Sequence, residues 1–284
     1  MKKILYGILT FIILICMLFV FTGCDKGDTA SSNTKKTTNT SKKVTNTSKS
    51  NTTNSVKSKE SEGIEVSFEE NAHKQMAKPK EGEQIAIIHV KNYGDIKLRF
   101  FPEVAPKAVE NFVTHAKNGY YNGLTFHRVI NEFMIQGGDP LGNGTGGESI
   151  WGKGFGTELD ASVVPYRGAL CMAMSSLPNS IGSQFFIEQA HYDENTAKQM
   201  SPGGYYADIL GQFKNPTDLI EQYKKYGGSM HLFMQYTVFG QAYEGMEVVD
   251  NIAKNTKVED SNGTVLKENQ PIIESIEITT YTEK

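Results

Sequence analysis

The most restrictive feature of this sequence is a succession of short apolar runs separated by glycine-rich loops. The runs cover residues 85–92, 96–100, 125–130, 133–136, 169–173, 184–188, 237–241 and 272–280. Runs of this length, rich in β-branched and aromatic residues, are typical of strands, and helical spacing is largely confined to two segments near the ends of this region. Many short strands with few helices predict a mainly β fold, a closed antiparallel barrel capped by two helices.

Helix signals occur at three places along this region. Pro106 stands at a first helical position, an apolar stripe follows, and Gly119 marks the end of that helix. A second helix is predicted over 246–254. A third is predicted between the N-cap Asn215 and Gly227, within a segment that has no strand signal. We therefore interpret residues 191–230 as a partly helical insertion in the barrel.

The N-terminus has the parts of a bacterial export signal. Lys2 and Lys3 precede an apolar run over 4–21, which ends in FTGC at 21–24. These four residues resemble a lipobox, which implies that residues 1–23 are a lipoprotein signal peptide and that Cys24 is lipidated. The alternative is an uncleaved signal anchor, because the run is nearly long enough to span a bilayer. Both interpretations place the rest of the chain at the extracytoplasmic face of the cell membrane.

Residues 24–63 are dominated by Ser, Thr, Asn and Lys and have no hydrophobic period. Such a segment cannot bury enough apolar surface to offset its chain entropy, which predicts a disordered tether. Its net charge, +5 over residues 25–60, favours a solvated linker; attraction to anionic lipid or wall polymer is the alternative. The sequence assigns no structure to residues 64–80.

The remaining part of the chain is acidic and contains one cysteine. The whole chain carries −3 and the leader and tether together +7, so residues 61–284 carry about −10. This charge argues against nucleic-acid binding, which requires a basic face. Cys171 is predicted to be a buried strand residue without a disulfide partner, and no metal site is expected from the histidine spacing. The GxGxxG match at 142–147 lacks a following helix, so we interpret it as a loop.

Five sequence blocks carry a family resemblance. They are ENF at 110–112, FHRVINEFMIQGGD at 126–139, NGTGG at 143–147, PNSIGSQFFI at 178–187 and YTVFGQ at 236–241. In sequence and order they resemble the signature blocks of the cyclophilins, over about 85–281. The resemblance implies a cyclophilin-like isomerase domain over residues 64–284, peptidyl-prolyl cis/trans isomerase activity, no cofactor, and substrates that are unfolded or extended proline-containing polypeptides. We expect a monomer.

The resemblance also implies the residues of the site. It assigns catalysis to Arg128, Phe133 and Gln136. It assigns substrate binding to Met134, Gly144, Ala173, Gln184, Phe186, Leu232 and Tyr236. Rotation about an X–Pro bond requires no nucleophile or metal, only a site that binds the twisted amide better than either planar form. An apolar pocket for the prolyl ring with a fixed guanidinium beside it suits that task.

Three positions depart from the pattern of eukaryotic cyclophilins. His231 replaces a tryptophan, Tyr236 replaces a pocket histidine, and Met174 replaces a groove asparagine. The first change predicts weakened cyclosporin binding, and the third predicts an altered preference for the residue before proline. None of the three changes removes the groups needed for isomerisation.

Two other functions are consistent with the sequence. One is a peptide-binding or chaperone module with weak turnover, and the other is a structural surface protein in which the insertion is the functional part. The presence of Arg128 favours the isomerase, because a binder has less need of a cation beside an apolar pocket. We predict a folding assistant for secreted or surface proteins.

Overall fold

The computed structural model describes residues 63–199 and 207–283. These belong to one compact unit, residues 62–284. The predicted signal peptide, Cys24, nearly all of the predicted tether and part of the insertion lie outside the described residues. No helix within the described ranges is both long and apolar enough to cross a membrane.

Eight strands form one antiparallel sheet. They are β1 (Gln84–Val90), β2 (Gly94–Phe100), β3 (Phe126–Ile130), β4 (Met134–Gly137), β5 (Ala169–Met172), β6 (Phe185–Glu188), β7 (Val238–Glu244) and β8 (Ile273–Thr280). The strand order is β3-β4-β6-β5-β7-β2-β1-β8. The sheet curls until its edges meet at an isolated bridge between Thr125 and Ile272. The mainly β, antiparallel barrel predicted from the sequence is confirmed.

Six α-helices accompany the sheet in the described residues. They are α1 (Phe68–Met76), α2 (Pro106–Lys117), α3 (Glu194–Gln199), α4 (Ala207–Leu210), α5 (Pro216–Tyr226) and α6 (Met246–Asn255), with short 3-10 turns at Met230–Leu232 and Lys267–Asn269. Helices α2 and α6 pack on the barrel and are the two capping helices that the sequence predicts. Helices α3 to α5 lie in the insertion, which is partly helical as predicted.

The barrel interior is filled with side chains. Phe112 of α2 is fully buried, and its ring centroid lies 5.2 Å from those of Tyr121 and Phe185 and 5.4 Å from that of Phe239. Along the regular parts of the strands, alternate residues enter this core and their neighbours face outward, and bulges in β3 and β7 shift which positions these are. The interior therefore leaves the outer face of the sheet for binding.

Two local predictions are wrong in detail. The predicted runs at 85–92 and 96–100 leave residues 93–95 for the β1–β2 turn, but β2 already begins at Gly94 and the turn contains Asn92, with φ +65°. Asparagine tolerates this left-handed conformation better than most residues, which explains the position of the turn. Asn215 precedes α5 as predicted, but its side chain makes no capping hydrogen bond.

A second hydrophobic core joins α1 to the insertion. Phe68 is 1% exposed and makes edge contacts with Phe213 (5.5 Å between ring centroids) and Phe233 (6.0 Å). Gln75 fixes the end of α1 to the segment before β5: its side-chain amide donates to the Val164 carbonyl (2.7 Å) and accepts from the Val164 N–H (2.9 Å). Residues 64–80, which the sequence left unassigned, thus complete the packing of the insertion.

We predict that Phe68→Ala destabilises the protein, because removing a buried ring leaves a cavity between α1 and the insertion. The free energy of unfolding should fall by about 3–5 kcal/mol in a denaturant titration. Ile64→Ala is the control: Ile64 is 53% exposed, so its removal should change stability by no more than about 0.5 kcal/mol. Equal stabilities for the two variants would contradict a structural role for α1.

Candidate active site

A small apolar pocket of about 80 Å³ opens on the outer face of the sheet. Its lining combines residues from β3, β4, the end of β5, β6 and the segment after the insertion. The lining residues are Arg128, Phe133, Met134, Gln136, Ala173, Met174, Phe186, Leu232 and Tyr236. The structure thus brings together eight of the ten predicted substrate-contacting residues in one pocket. The other two, Gly144 and Gln184, line an adjoining cavity of about 250 Å³, which shares Gln136 and Ala173 with the first.

Arg128 is oriented by hydrogen bonds at the rim of the pocket. Its Nε donates to the carbonyl oxygen of Asn262 (2.8 Å), and its Nη1 donates to Oε1 of Gln136 (3.1 Å). Arg128 and Gln136 are directly opposite each other on β3 and β4. Both side chains therefore face outward, and the guanidinium is fixed at the pocket instead of extending into solvent. Sequence reasoning did not identify Asn262, since a backbone acceptor has no residue signature.

Gln136 and Gln184 continue this network to the loop at 139–147. The Gln136 Nε2 donates to Oε1 of Gln184 (3.0 Å), whose own Nε2 donates to the carbonyls of Gly144 (3.1 Å) and Gly146 (2.8 Å). Gly144 has φ +87°, a backbone conformation that residues other than glycine rarely adopt. The network couples the guanidinium to the loop that forms the far side of the groove.

Asp139 shapes that loop, and the sequence analysis assigned it no role. Asp139 is almost fully buried, and its carboxylate accepts hydrogen bonds from the backbone N–H groups of Leu141 (2.9 Å), Asn143 (3.0 Å) and Gly144 (2.6 Å). Burial raises the pKa of the Asp139 carboxyl, but the hydrogen bonds outweigh burial and the pKa lies below its ordinary value. An Asp followed by a glycine-rich loop is the signal that could have revealed this role.

Aromatic side chains form and support the pocket walls. The His231 ring lies 5.4 Å from that of Phe133, and the Tyr236 ring packs edge-on against Phe186 at 5.6 Å between centroids. Met134, Phe186 and Leu232 are nearly buried, and they continue into a hydrophobic cluster on the outer face of the sheet. The pocket is therefore the exposed end of a packed cluster, and its shape is fixed before any ligand binds.

The residues judged not to be functional occupy structural positions. Cys171 is buried in β5, as predicted. His127 is buried beneath the glycine-rich loop, since a Cβ atom added at Gly144 would lie 3.7 Å from its Nε2. Burial lowers the pKa of its imidazole. The glycines at 142–147 lie in a loop. Among the described residues, no group of three or more His, Cys, Asp or Glu side chains could bind a metal ion.

Comparison with known families decides the identity of this fold and pocket. The family model described as "Cyclophilin type peptidyl-prolyl cis-trans isomerase/CLD" matches residues 85–282. The chain belongs to the cyclophilin family. Its enzymatic activity is that of a peptidyl-prolyl cis/trans isomerase, as the resemblance implied.

Relatives and solved structures agree with this assignment. A Staphylococcus epidermidis protein named "Putative peptidyl-prolyl cis-trans isomerase" is 44% identical over 205 residues, covering 72% of this chain and 96% of the relative. A Staphylococcus aureus protein of the same name is 45% identical over 199 residues, covering 70% and 93%. A crystal structure of a Cryptosporidium parvum cyclophilin, obtained in the presence of the dipeptide Ala-Pro, is 31% identical with a TM-score of 0.52 and covers 69% of this chain and 99% of that one.

A buried acid lies beside the pocket of this cyclophilin. Glu188 is fully buried in β6, opposite the pocket residue Met134, and accepts a hydrogen bond from the Ser229 hydroxyl (2.5 Å). Burial raises the pKa of its carboxyl from an ordinary 4.5 to about 8, although the hydrogen bond from Ser229 and the charge of Arg167 act in the opposite direction. At neutral pH the folded protein therefore keeps a proton that the unfolded chain releases.

We predict that the stability contributed by Glu188 is lost as pH rises from about 4.5 to about 8, because in that window its carboxyl keeps a proton in the folded state and releases it in the unfolded state. Glu188→Gln preserves an acceptor for Ser229 and removes the ionisation. The Tm of this variant, relative to the unmodified protein, should therefore increase steadily between pH 5 and pH 8 in thermal melts. Glu274→Gln, at an exposed position of β8, is the matched control. Parallel pH profiles for the unmodified protein and Glu188→Gln would show that Glu188 does not titrate in this way.

Proposed function

We propose that this cyclophilin is exported, anchored to the outer face of the cell membrane through lipidated Cys24, and assists the folding of secreted or surface polypeptides. Its substrates are unfolded or extended segments that contain proline. The observation that carries the catalytic part is the position of Arg128, fixed by Gln136 and the Asn262 carbonyl at the rim of an apolar pocket. The FTGC sequence at 21–24 carries the proposal for location.

The proposed mechanism begins with the prolyl ring in the apolar pocket. Phe133, Met134 and Leu232 provide a surface that excludes water and matches the ring of proline. The network of Gln136 and Gln184 offers amide groups to the peptide backbone on the side of the adjoining cavity. With the ring fixed on one side and the backbone on the other, rotation is restricted to the X–Pro bond.

Arg128 then lowers the barrier to rotation. Twisting the amide breaks its resonance over a barrier of about 18–20 kcal/mol and localises a lone pair on the prolyl nitrogen. A guanidinium, always charged and rigid, donates to that nitrogen most strongly when the amide is twisted. Because Arg128 is already oriented by its own hydrogen bonds, little reorganisation is needed as the charge develops. Stabilising the twisted form selectively is what accelerates the reaction.

We predict that Arg128→Ala lowers kcat/KM for an Ala-Pro peptide at least tenfold, a loss of about 1.4 kcal/mol of transition-state stabilisation. Arg128→Lys should recover only part of the activity, since an ammonium cannot reproduce the forked geometry of the guanidinium. Lys257→Ala, which removes an exposed positive charge elsewhere, controls for net charge and should retain full activity. A fully active, well-folded Arg128→Ala protein would exclude the proposed mechanism.

We predict that Cys24 is the site of lipidation. In cells fed an alkyne-tagged fatty acid, the unmodified protein should be labelled and recovered with membranes, and Cys24→Ser should lose the label. Cys16→Ser alters the other cysteine of the leader and should label normally. A Cys24→Ser protein that stays labelled would refute the assignment, whereas an unmodified protein that is membrane-bound without label would indicate an uncleaved signal anchor.

A further inference from the structure

Besides the adjoining cavity at Gly144 and Gln184, another cavity, of about 220 Å³, lies beside the proline pocket. We call it the second cavity and the proline pocket the first. Three parts of the chain line it. Glu132 and Phe133 come from the turn between β3 and β4, residues 190–193 from the start of the insertion, and residues 228–231 from its end. The two ends of the insertion are joined by a backbone hydrogen bond from Gly228 N–H to the Ala190 carbonyl (2.9 Å). The insertion therefore forms most of this cavity.

The two cavities share a wall. Phe133 lines both of them. The ring of His231 packs on Phe133, and His231 is followed in sequence by the pocket residue Leu232. Consecutive residues of an extended peptide advance by about 3.3–3.6 Å. A peptide whose proline occupies the first cavity thus has a neighbouring side chain within reach of the second.

The lining of the second cavity is negatively charged. Glu132 and Asp193 supply carboxylates, and among its described lining residues none is lysine or arginine. His191 is the one basic group in this lining; its Nδ1 lies 2.9 Å from the Glu132 carboxylate. The lining residues carry −2 with the imidazole neutral and −1 with it protonated, and the Arg167 guanidinium acts on Glu132 from outside the lining.

The position of Glu132 has a conformational cost. Its φ is +59°, a left-handed conformation that glycine or asparagine adopts more readily. The turn is nevertheless fixed in this shape, because the Glu132 N–H donates to Oε1 of Gln189 (2.7 Å). The Nε2 of Gln189 in turn donates to Oδ1 of Asp250 in α6 (2.8 Å). A rigid turn therefore presents the carboxylate beside Phe133.

We propose that this cavity is a subsite that binds a lysine or arginine side chain of the substrate, within three residues of the isomerised proline. Phe133 and Tyr192 offer apolar surface to the aliphatic stem of such a side chain, while the carboxylates attract its charged end. The acidic balance of the folded part of the chain, about −10, favours the approach of basic segments. The proposal rests on the placement of the prolyl ring beside Arg128.

The test uses the detergent-solubilised full-length protein and Ala-Pro peptides that carry Lys, Gln or Glu at each position within three residues of the proline. At one position kcat/KM should decrease in the order Lys, Gln, Glu, with about threefold to tenfold between Lys and Gln, as expected for a partly exposed charge pair. The preference should shrink at high salt because such pairs are screened.

Asp193→Asn and Glu132→Gln should each lower the ratio of kcat/KM for the Lys peptide to that for the Gln peptide. Glu194→Gln is the matched control: Glu194 is adjacent in sequence but is outside the cavity lining, and its carboxylate accepts a hydrogen bond from Tyr192 (2.9 Å). This control should keep the preference of the unmodified protein.

Equal rates for all peptides, or a lysine preference that survives both Asp193→Asn and Glu132→Gln, would overturn the subsite. Failure of the Arg128 mechanism gives a different result. In that case Arg128→Ala would remain active and would still prefer the Lys peptide.

Discussion

The filled interior of the barrel is the constraint on which the rest of this structure depends. Most core residues alternate with outward-facing positions along their strands, and a bulge in β3 between Phe126 and Arg128 shifts this alternation, so that Phe126 and Val129 face the core while Arg128 faces outward. Strands β3, β4, β6 and β5 are neighbours in that order, so Arg128, Gln136, Phe186 and Ala173 come together on one outer patch. The site therefore follows from strand order and alternation, and it needs no opening in the core.

The apolar residues of the pocket have two places in the structure. Met134, Phe186 and Leu232 belong to a packed cluster and also form the pocket, because the cluster reaches the surface there. A side chain that is packed on one side and exposed on the other has little freedom to rearrange. Packing thus supplies the rigidity that stabilisation of a twisted amide requires.

The sequence predicts those parts of the fold whose signals are local. Period-two runs predict the strands, and Pro106 and Gly119 bound α2 correctly to within two residues. Two kinds of feature escaped sequence reasoning. Helix α1 has a weak pattern, since its stability comes from distant partners such as Phe213. Backbone interactions, such as the Asn262 carbonyl with Arg128, depend on tertiary structure and leave no mark on residue type. The residues that line the pocket were predicted better, because the family blocks preserve their order.

Because α1 packs against the insertion, the folded unit begins earlier in the chain than the part that the family model matches. The family model begins at residue 85, after α1 has ended at Met76. A fragment cut at the family boundary would uncover the faces of Phe213, Tyr166 and Leu219 that α1 shares in the second core. Such a fragment would retain every pocket residue and still expose an apolar surface prone to self-association. For recombinant work, the cut that preserves the fold lies before Gly63.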